Sequence, residues 1–545
     1  MTGPASKIIE PGAPPAKTSR QPELWVPAVL AFAAVILFSL FTRQAWEDYF
    51  ITFRSSRNLV EGHGLVFQIG EHVHTFTSPL GVLLPALGYW VTGNVEGALW
   101  VLRIMSAAGL AGAIFLMGKQ AKEHGMNGRA PWLILVLGIL DAKTIGFSSN
   151  GMETGLLVFS TALTWRELNR PQGARWAFLA AGFASLMWTR PDACVLACAM
   201  ILGVWLFADG PDKRPWRPVM LKAAAIGGLL YAPWFFWAWH YYGSPVPQTI
   251  LAKAGLTPEG FSFARVALSP LRCLVENTAL DGLSAPAYFY AGDWPRDIMD
   301  VCRVLARGAA FLWLVPSLPR PARAASFAVL IGGVYLHQIM PYPWYFAPWT
   351  LLSACAWAGV LETTGRHARP WVRSAGRIGL TIVATLTLSL LVASACTARQ
   401  QQKIVEEQGR HRLGLWLKEK AGPADTVFLE SLGYMGYFSQ LKMLDFPGLC
   451  APEVSRLVHS GKRSYAEIIG TLQPDWVIIR PSEYYDQHLN ENGGLRDYKL
   501  VWTSDVRAQI NAVSFLPGRG TLDADAVYFV FHRISPHEKA GPPSR

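Results

Sequence analysis

Long apolar runs separated by short basic segments fill the first 400 residues. Runs near 24–42, 97–117, 131–147, 151–168, 176–190, 193–208, 219–241, 300–317, 325–341, 344–361 and 378–397 predict about eleven membrane-spanning helices. The third and fifth runs are short, which predicts tilted or protein-buried spans. The stretch Pro79–Val91 is shorter still and is predicted to be interfacial or re-entrant, not a span. With that stretch left out, most basic residues fall on one side, and the intervening outside loops are nearly free of Lys and Arg, except the long one after residue 241. Lys119, Lys122 and Arg129 precede Arg166, Arg170 and Arg175; Lys213, Arg214 and Arg217 follow; then come Arg320 and Arg323, and Arg366, Arg369, Arg373 and Arg377. Excess Lys and Arg mark cytoplasmic loops, so an odd number of spans starting inside puts the C-terminus outside.

Three segments follow from this pattern. Residues 1–22, rich in Pro, Gly, Ala and Ser with Lys7, Lys17 and Arg20, are predicted to be a disordered cytoplasmic tail. The first apolar run starts late and no small-residue cleavage site follows it, so it is predicted to be an anchor and not a signal peptide. Residues 23–397 are predicted to form an α-helical transmembrane domain with a first outside loop at 43–95. Residues 398–545 are more polar and are predicted to form a periplasmic α/β domain. Its expected elements are a helix from Arg399 to Lys420, a break at Gly422-Pro423, and strands at Thr426–Leu429, Trp476–Ile479 and Val527–Phe531. Gly433, Tyr434, Gly436 and Tyr437 are expected to form a turn.

Composition supports a polytopic membrane protein. Of 545 residues, 51% are hydrophobic and 16% are charged, against about 25% charged in soluble chains. That excludes a string of soluble domains, a disordered chain and a disulfide scaffold. The net charge of +11 is accounted for by the cytoplasmic loops; no basic run with interleaved aromatics suits nucleic acid. Seven cysteines contain no CxxC pair, and Cys273 and Cys302, near one outside loop, are the candidates for a disulfide. Neither a Walker motif, nor a dinucleotide fingerprint, nor metal-ligand spacing is present.

The segment leaving the first span reads Trp46-Glu47-Asp48-Tyr49-Phe50-Ile51-Thr52-Phe53-Arg54. On a helix, Asp48, Thr52 and Ser55 share one face, with Tyr49, Phe53 and Val60 opposite. That pattern predicts an amphipathic helix lying in the interface. Acidic residues in a first turn also interact favourably with the helix dipole, by only ~0.3–1 kcal/mol, so the pattern alone leaves a capping role open.

The next residues are Glu61-Gly62-His63-Gly64-Leu65-Val66-Phe67, Gly70-Glu71 and Phe76-Thr77-Ser78-Pro79-Leu80. From Asp48 to Leu80 the chain resembles the first periplasmic loop of the GT-C glycosyltransferase superfamily, and within it the mycobacterial terminal arabinofuranosyltransferase-like subgroup. Gly151-Met152-Glu153-Thr154, Thr189-Arg190-Pro191-Asp192, Tyr241-Tyr242-Gly243 with Pro247-Gln248-Thr249 and Ala252-Lys253, and Gly414-Leu415-Trp416-Leu417 extend the likeness. Glu47 and Phe50 depart from the subgroup's usual residues.

The resemblance implies a fold of about eleven transmembrane helices with an appended soluble domain, in the bacterial cytoplasmic membrane. It also implies transfer of a sugar from a polyprenyl-phosphate donor to a periplasmic glycan or lipid acceptor, with inversion. Such chemistry needs a base for the acceptor hydroxyl, for which Asp48 is first and Glu47 second. It needs cations for the leaving phosphate, for which Lys253, Arg190 and Arg54 are candidates. It needs a sugar-binding wall, for which Trp46, Tyr345 and Trp344 are candidates. Glu153, an acid opening a span, is expected to face a cavity. No cofactor is called for, and His63 and His74 are expected to be solvated; superfamily members differ in needing a divalent cation, which leaves that requirement open. The competing classes are a lipid or glycan transporter or flippase, and a membrane assembly or sensor protein.

Overall fold

In a computed structural model of the protein, the described residues are 22–126, 130–171, 173–207, 216–256, 262–339, 341–489 and 491–534. The expected tail before residue 22 lies outside them, as do Arg129, Lys213 and Arg214. Helices α1 (Pro22–Thr42), α2 (Glu47–Val60), α3 (Pro79–Thr92) and α4 (Val95–Glu123) open the chain. Next come α5 (Ala130–Leu140), α6 (Ala142–Ser149), α7 (Thr154–Leu168), α8 (Trp176–Thr189), α9 (Ala193–Phe207) and α10 (Trp216–Tyr242). Then follow α11 (Gln248–Ala254), α12 (Phe263–Val275), α13 (Arg296–Phe311), α14 (Arg320–Gln338), α15 (Ala347–Gly365) and α16 (Pro370–Gln400).

Helices therefore occupy every predicted span position. Among the described residues, four helical stretches are long and apolar enough to cross a bilayer: Leu24–Thr42, Val95–Glu123, Trp216–Tyr242 and Pro370–Lys420. The pair α5 and α6, bent by 49°, makes a fifth if taken as one span. The bend falls at Asp141, whose Oδ2 accepts from the Thr144 amide at 2.8 Å and its hydroxyl at 2.7 Å, starting a new helix there. Lys143 beside it is fully buried and donates to Asp141 and to the Ala285 carbonyl. The other apolar helices are shorter and lie against one another. Helices α4 and α7 cross where Gly109 and Gly155 meet; a Cβ on Gly155 would lie 2.7 Å from the Ser106 carbonyl carbon. Small residues permit such backbone approach where lipid gives helices no hydrophobic drive to pack.

Helix α3 is fixed locally. Ser78 accepts from the Gly81 amide at 2.8 Å, Pro79 takes the first turn, and Gly93 ends the helix at φ +68°. Helix α2 differs from the expected interfacial helix. Tyr49, Phe50, Ile51, Phe53, Arg54, Ser55, Ser56 and Asn58 are all buried, because α3 covers one side and the C-terminal region around Gly433–Ser439 the other.

The last of the long apolar helices does not end at a loop. Helix α16 runs through a π-helical segment, Gln401–His411, into α17 (Arg412–Lys420). Beyond it lie β1 (Thr426–Leu429), α18 (Gly433–Ser439), β2 (Lys442–Asp445), β3 (Trp476–Ile479), β4 (Tyr498–Asp505) and β5 (Val527–Arg533). The sheet order is β2-β1-β3-β5-β4, with β1 parallel to both β2 and β3 and β5 antiparallel to β3 and β4. Period-two alternation feeds two cores. Val427, Leu429, Met443 and Ile478 meet Leu413 and Leu417 of α17 on one face. Phe428, Leu444, Val477 and Ile479 pack with Val454, Ile468 and Ile469 on the other. The segment around Gly433 is a helix, not the expected turn; Gly433 serves close approach to Glu47 of α2 and Gly436 close approach to the Phe67 ring, not chain reversal.

Candidate active site

The segment before the acidic pair is clamped from several directions. The buried Arg103 donates from Nε to the Ser149 carbonyl at 2.8 Å and from Nη2 to the Gln44 carbonyl at 2.9 Å. The Trp46 amide donates to the Asn150 carbonyl at 2.7 Å, and the Ala45 amide to Gln402 Oε1 at 3.0 Å. The Tyr434 hydroxyl donates to the Ala45 carbonyl at 3.0 Å. Glu47 and Asp48 are thus delivered at the start of α2 by α4, the α6–α7 turn and the soluble domain together.

Glu47 and Asp48 are half-buried, and their surroundings desolvate both carboxyls. Burial pushes the Asp48 carboxyl above its usual range; Lys253, Arg410 and Arg190 pull it down and Glu430 pushes it up. Burial pushes Glu47 up to about 8; Arg410 lowers it, while Asp48 and Glu430 raise it. Glu47 Oε1 accepts from the Gly433 amide at 2.5 Å. The two neighbouring acids therefore have different settings: Glu47 is tied to the soluble domain, and Asp48 faces the cations.

Lys253, on the short helix α11, lies over the Tyr342 ring at 4.8 Å. Helix α11 is held by the Gln248 amide, which donates to the His74 carbonyl at 2.8 Å. Arg190, ending α8, pairs with Asp192 at 3.0 Å and Glu153 at 3.5 Å, and lies over the Tyr345 ring at 4.4 Å. Tyr342 stacks on Trp344 at 4.9 Å, and Trp344 meets Trp46 edge-on at 6.0 Å. Trp46 also stacks on Tyr288 at 5.6 Å. An aromatic wall thus runs from the acidic pair to the lysine.

The structure brings together Asp48, Glu47, Lys253, Arg190, Glu153, Trp46 and Tyr345. It places Arg54 elsewhere. The Arg54 guanidinium makes four hydrogen bonds, of 2.8–3.2 Å, to the carbonyls of Gly436, Gln440 and Leu441, and lies over Phe67 at 4.4 Å. It fastens the soluble domain and is not aimed at the cleft, because α2 turns its 47, 50 and 54 positions toward that domain. Trp344 is buried, as is most of Trp46, so they form the wall's backing. His74 is also buried, not solvated; it stacks on Tyr242 at 4.5 Å and burial pushes it down to about 4. Cys273 and Cys302 are both buried free thiols, not a disulfide. Among the described residues no three His, Cys, Asp or Glu side chains gather as metal ligands would.

Sequence patterns missed Arg410, Glu430, Gly433 and Tyr342. The first three are more than 350 positions from the acids they affect, and no local spacing marks them. The tight pairing of Arg410 with Glu406 at 2.8 Å follows an i, i+4 pattern, but such pairs are common on helices.

Residues 399–530 match a family described as a domain of unknown function (DUF8728). The chain is 30% identical over 250 residues, 42% of its length, to the terminal beta-(1->2)-arabinofuranosyltransferase of Mycobacterium tuberculosis. It is 28% identical over 244 residues, 38% of its length, to the protein of the same name from Corynebacterium glutamicum. These matches span 38% and 33% of the relatives' own lengths. Among solved structures, ArnT from Cupriavidus metallidurans bound to undecaprenyl phosphate matches with a TM-score of 0.52 at 13% identity, covering 95% of this chain and 99% of that one. The mycobacterial arabinofuranosyltransferase AftD matches with a TM-score of 0.50 at 14% identity, covering 94% of this chain and 40% of that one. The resemblance read from the sequence is shown: the chain has a GT-C-like fold and is similar to terminal arabinofuranosyltransferases.

Proposed function

We propose that this protein transfers a sugar, of the arabinofuranosyl kind named for its relatives, from a polyprenyl-phosphate donor to a periplasmic glycan or lipid acceptor. The observation that carries this is the grouping of the half-buried Asp48 with an aromatic wall, Trp46, Trp344 and Tyr342, that ends on Lys253. In the reaction, the acceptor hydroxyl gives its proton to the Asp48 carboxylate. Its oxygen bonds to the anomeric carbon as the bond from that carbon to the phosphate oxygen breaks, and the electron pair leaves with the lipid phosphate. The raised setting of Asp48 makes it a stronger base than an exposed aspartate. Inversion is the outcome that the likeness to the superfamily supports.

Lys253 and Arg190 divide the phosphate side unequally. Arg190 already carries two carboxylate partners, Asp192 and Glu153, so its charge is largely met. Lys253 is the better phosphate contact, and Arg190 with Glu153 forms the floor that holds the Tyr345 ring. Glu47, bonded to Gly433, orients the pair. The chain lies in the cytoplasmic membrane with its N-terminus inside and the sheet domain in the periplasm, the side on which a lipid-linked donor is presented.

The test is to incubate purified protein with a panel of polyprenyl-phosphate sugars and an oligosaccharide acceptor, with and without a chelator, and to measure released lipid phosphate. Release with an arabinofuranosyl donor, abolished by Asp48→Asn at normal expression, supports the proposal. Unchanged function in Asp48→Asn refutes it and favours a transporter or an assembly protein.

A further inference from the structure

We infer that the C-terminal domain is a working part of the catalytic centre, in which Gly433 is a positioning residue that holds Glu47, and through it the Glu47–Asp48 pair, for proton transfer. The inference rests on the glycosyl-transfer reading of Asp48 and assigns a task to the region 399–530.

Four observations carry it. First, Gly433 is pressed against Glu47. Its amide donates to Glu47 Oε1, and a Cβ there would run into the Glu47 carbonyl oxygen and lie 2.8 Å from its carbon. Only glycine permits that approach. Second, α18 follows α2 along one face. Phe50 packs on Tyr434 at 4.3 Å, Tyr437 at 5.1 Å and Phe438 at 5.4 Å. Arg54 then binds the carbonyls at the helix end. Positions 47, 50 and 54 follow an i, i+3, i+7 stripe, so one contact surface aims Glu47 at the domain and leaves Asp48 facing Lys253.

Third, Arg410 is held rigidly. It pairs with Glu406 at 2.8 Å and Asp525 at 2.6 Å, and donates to the Tyr528 hydroxyl at 3.1 Å. From there its charge acts on both acids. Fourth, the sheet edge involved is the one that carries ligands in open α/β folds, at the carboxyl ends of the parallel strands. Glu430 and Ser431 follow β1, and Arg480 follows β3. Arg480 pairs with Glu430 at 2.6 Å and Asp525 at 2.7 Å. This edge is turned toward the acidic pair.

The test uses purified full-length protein with a polyprenyl-phosphate sugar and acceptor. Gly433→Ala is expected to lower kcat about 10²-fold, the cost of misplacing a reacting group by an ångström, with donor KM within about twofold of wild type. Adding Glu47→Gln to Gly433→Ala is expected to cost far less than Glu47→Gln alone, because the two act through one contact. The pH profile is the second readout. The charged groups facing Glu47 are Asp48, Arg410 and Glu430; those facing Asp48 are Lys253, Glu430, Arg410 and Arg190. Glu430→Gln, a mild change at a partly exposed residue, is expected to move the acidic limb to lower pH, and Arg410→Gln to higher pH. Wild-type protein that transfers sugar, with Gly433→Ala equally active or multiplying independently with Glu47→Gln, overturns the inference, as does a limb that Glu430→Gln leaves in place. Wild-type protein inactive with every donor refutes the functional reading instead.

Discussion

Replacing Arg54 by methionine separates two roles for one cation. The guanidinium makes four hydrogen bonds to three carbonyls of the soluble domain and covers the Phe67 ring. Methionine keeps the stem and its packing but removes every donor. Hydrogen bonds to a charged group are worth about 1.5–3 kcal/mol each, and a buried carbonyl left unpaired costs roughly 1–3 kcal/mol. Partial rehydration and shared donors reduce the sum, so the docking of α18 is expected to weaken by about 3 kcal/mol. That corresponds to roughly a 10²-fold rise in local opening. Amide hydrogen exchange across residues 433–441 reads this directly, and limited proteolysis of the same segment gives a second measure. Donor KM should change less than about twofold, since no Arg54 contact lies in the cleft. Unchanged exchange together with a strongly raised donor KM would refute the assignment and make Arg54 a phosphate ligand.

Other changes have equally direct readouts. Asp48 acts as a base only when ionised, and its carboxyl is raised by burial, so the acidic limb of kcat/KM should lie above the ordinary aspartate range; a limb within that range contradicts the cleft's desolvation. Asp48→Asn should lower kcat by about 10²–10⁴ with unaltered donor affinity in a binding assay. Lys253→Gln should raise donor KM and move the acidic limb to still higher pH, because a charge that lowers the Asp48 pKa is gone; a limb moving down rules out that contact. Burial opposes ionisation of Asp525, yet Arg410 and Arg480 hold its carboxyl well below the usual range. Asp525→Asn removes the carboxylate that Arg410 and Arg480 share, leaving Glu406 on the first and Glu430 and Glu483 on the second, and should cost about 1.5–3 kcal/mol, read as a fall in melting temperature; a fall under ~1 °C would contradict the network.

Much of the membrane half was legible in the sequence. Hydropathy located helices at all the predicted positions, while among the described residues four of them, or five with the bent pair, are long and apolar enough to cross a bilayer. The candidate acids and Lys253 were legible through local motifs, because each sits at the end of an element where its neighbours mark it. What could not be read was docking. Glu47 meets Gly433 across 386 positions, and a glycine chosen for close approach looks in sequence like one chosen for a turn. Phe50 departs from the subgroup for a reason invisible locally, since its partners are Tyr434, Tyr437 and Phe438. Arg54 looked like a phosphate ligand because sequence cannot reveal which face of α2 is covered. Strand β4 escaped notice because most of it is exposed and gives little hydrophobic pattern.

The continuous helix from Pro370 to Lys420, 51 residues long, is α-helical on both sides of the π-helical Gln401–His411 and extends roughly 70 Å, its α-helical parts rising ~1.5 Å per residue. It leaves no slack joint between bilayer and sheet. A twist or tilt imposed on the buried portion by lipid thickness is conveyed as torque to the strands, and a hybrid enzyme made by swapping the outer lobe must preserve helical phase at its seam. One residue added or removed there would turn the transplanted lobe by about 100° and swing α18 off the acids it touches.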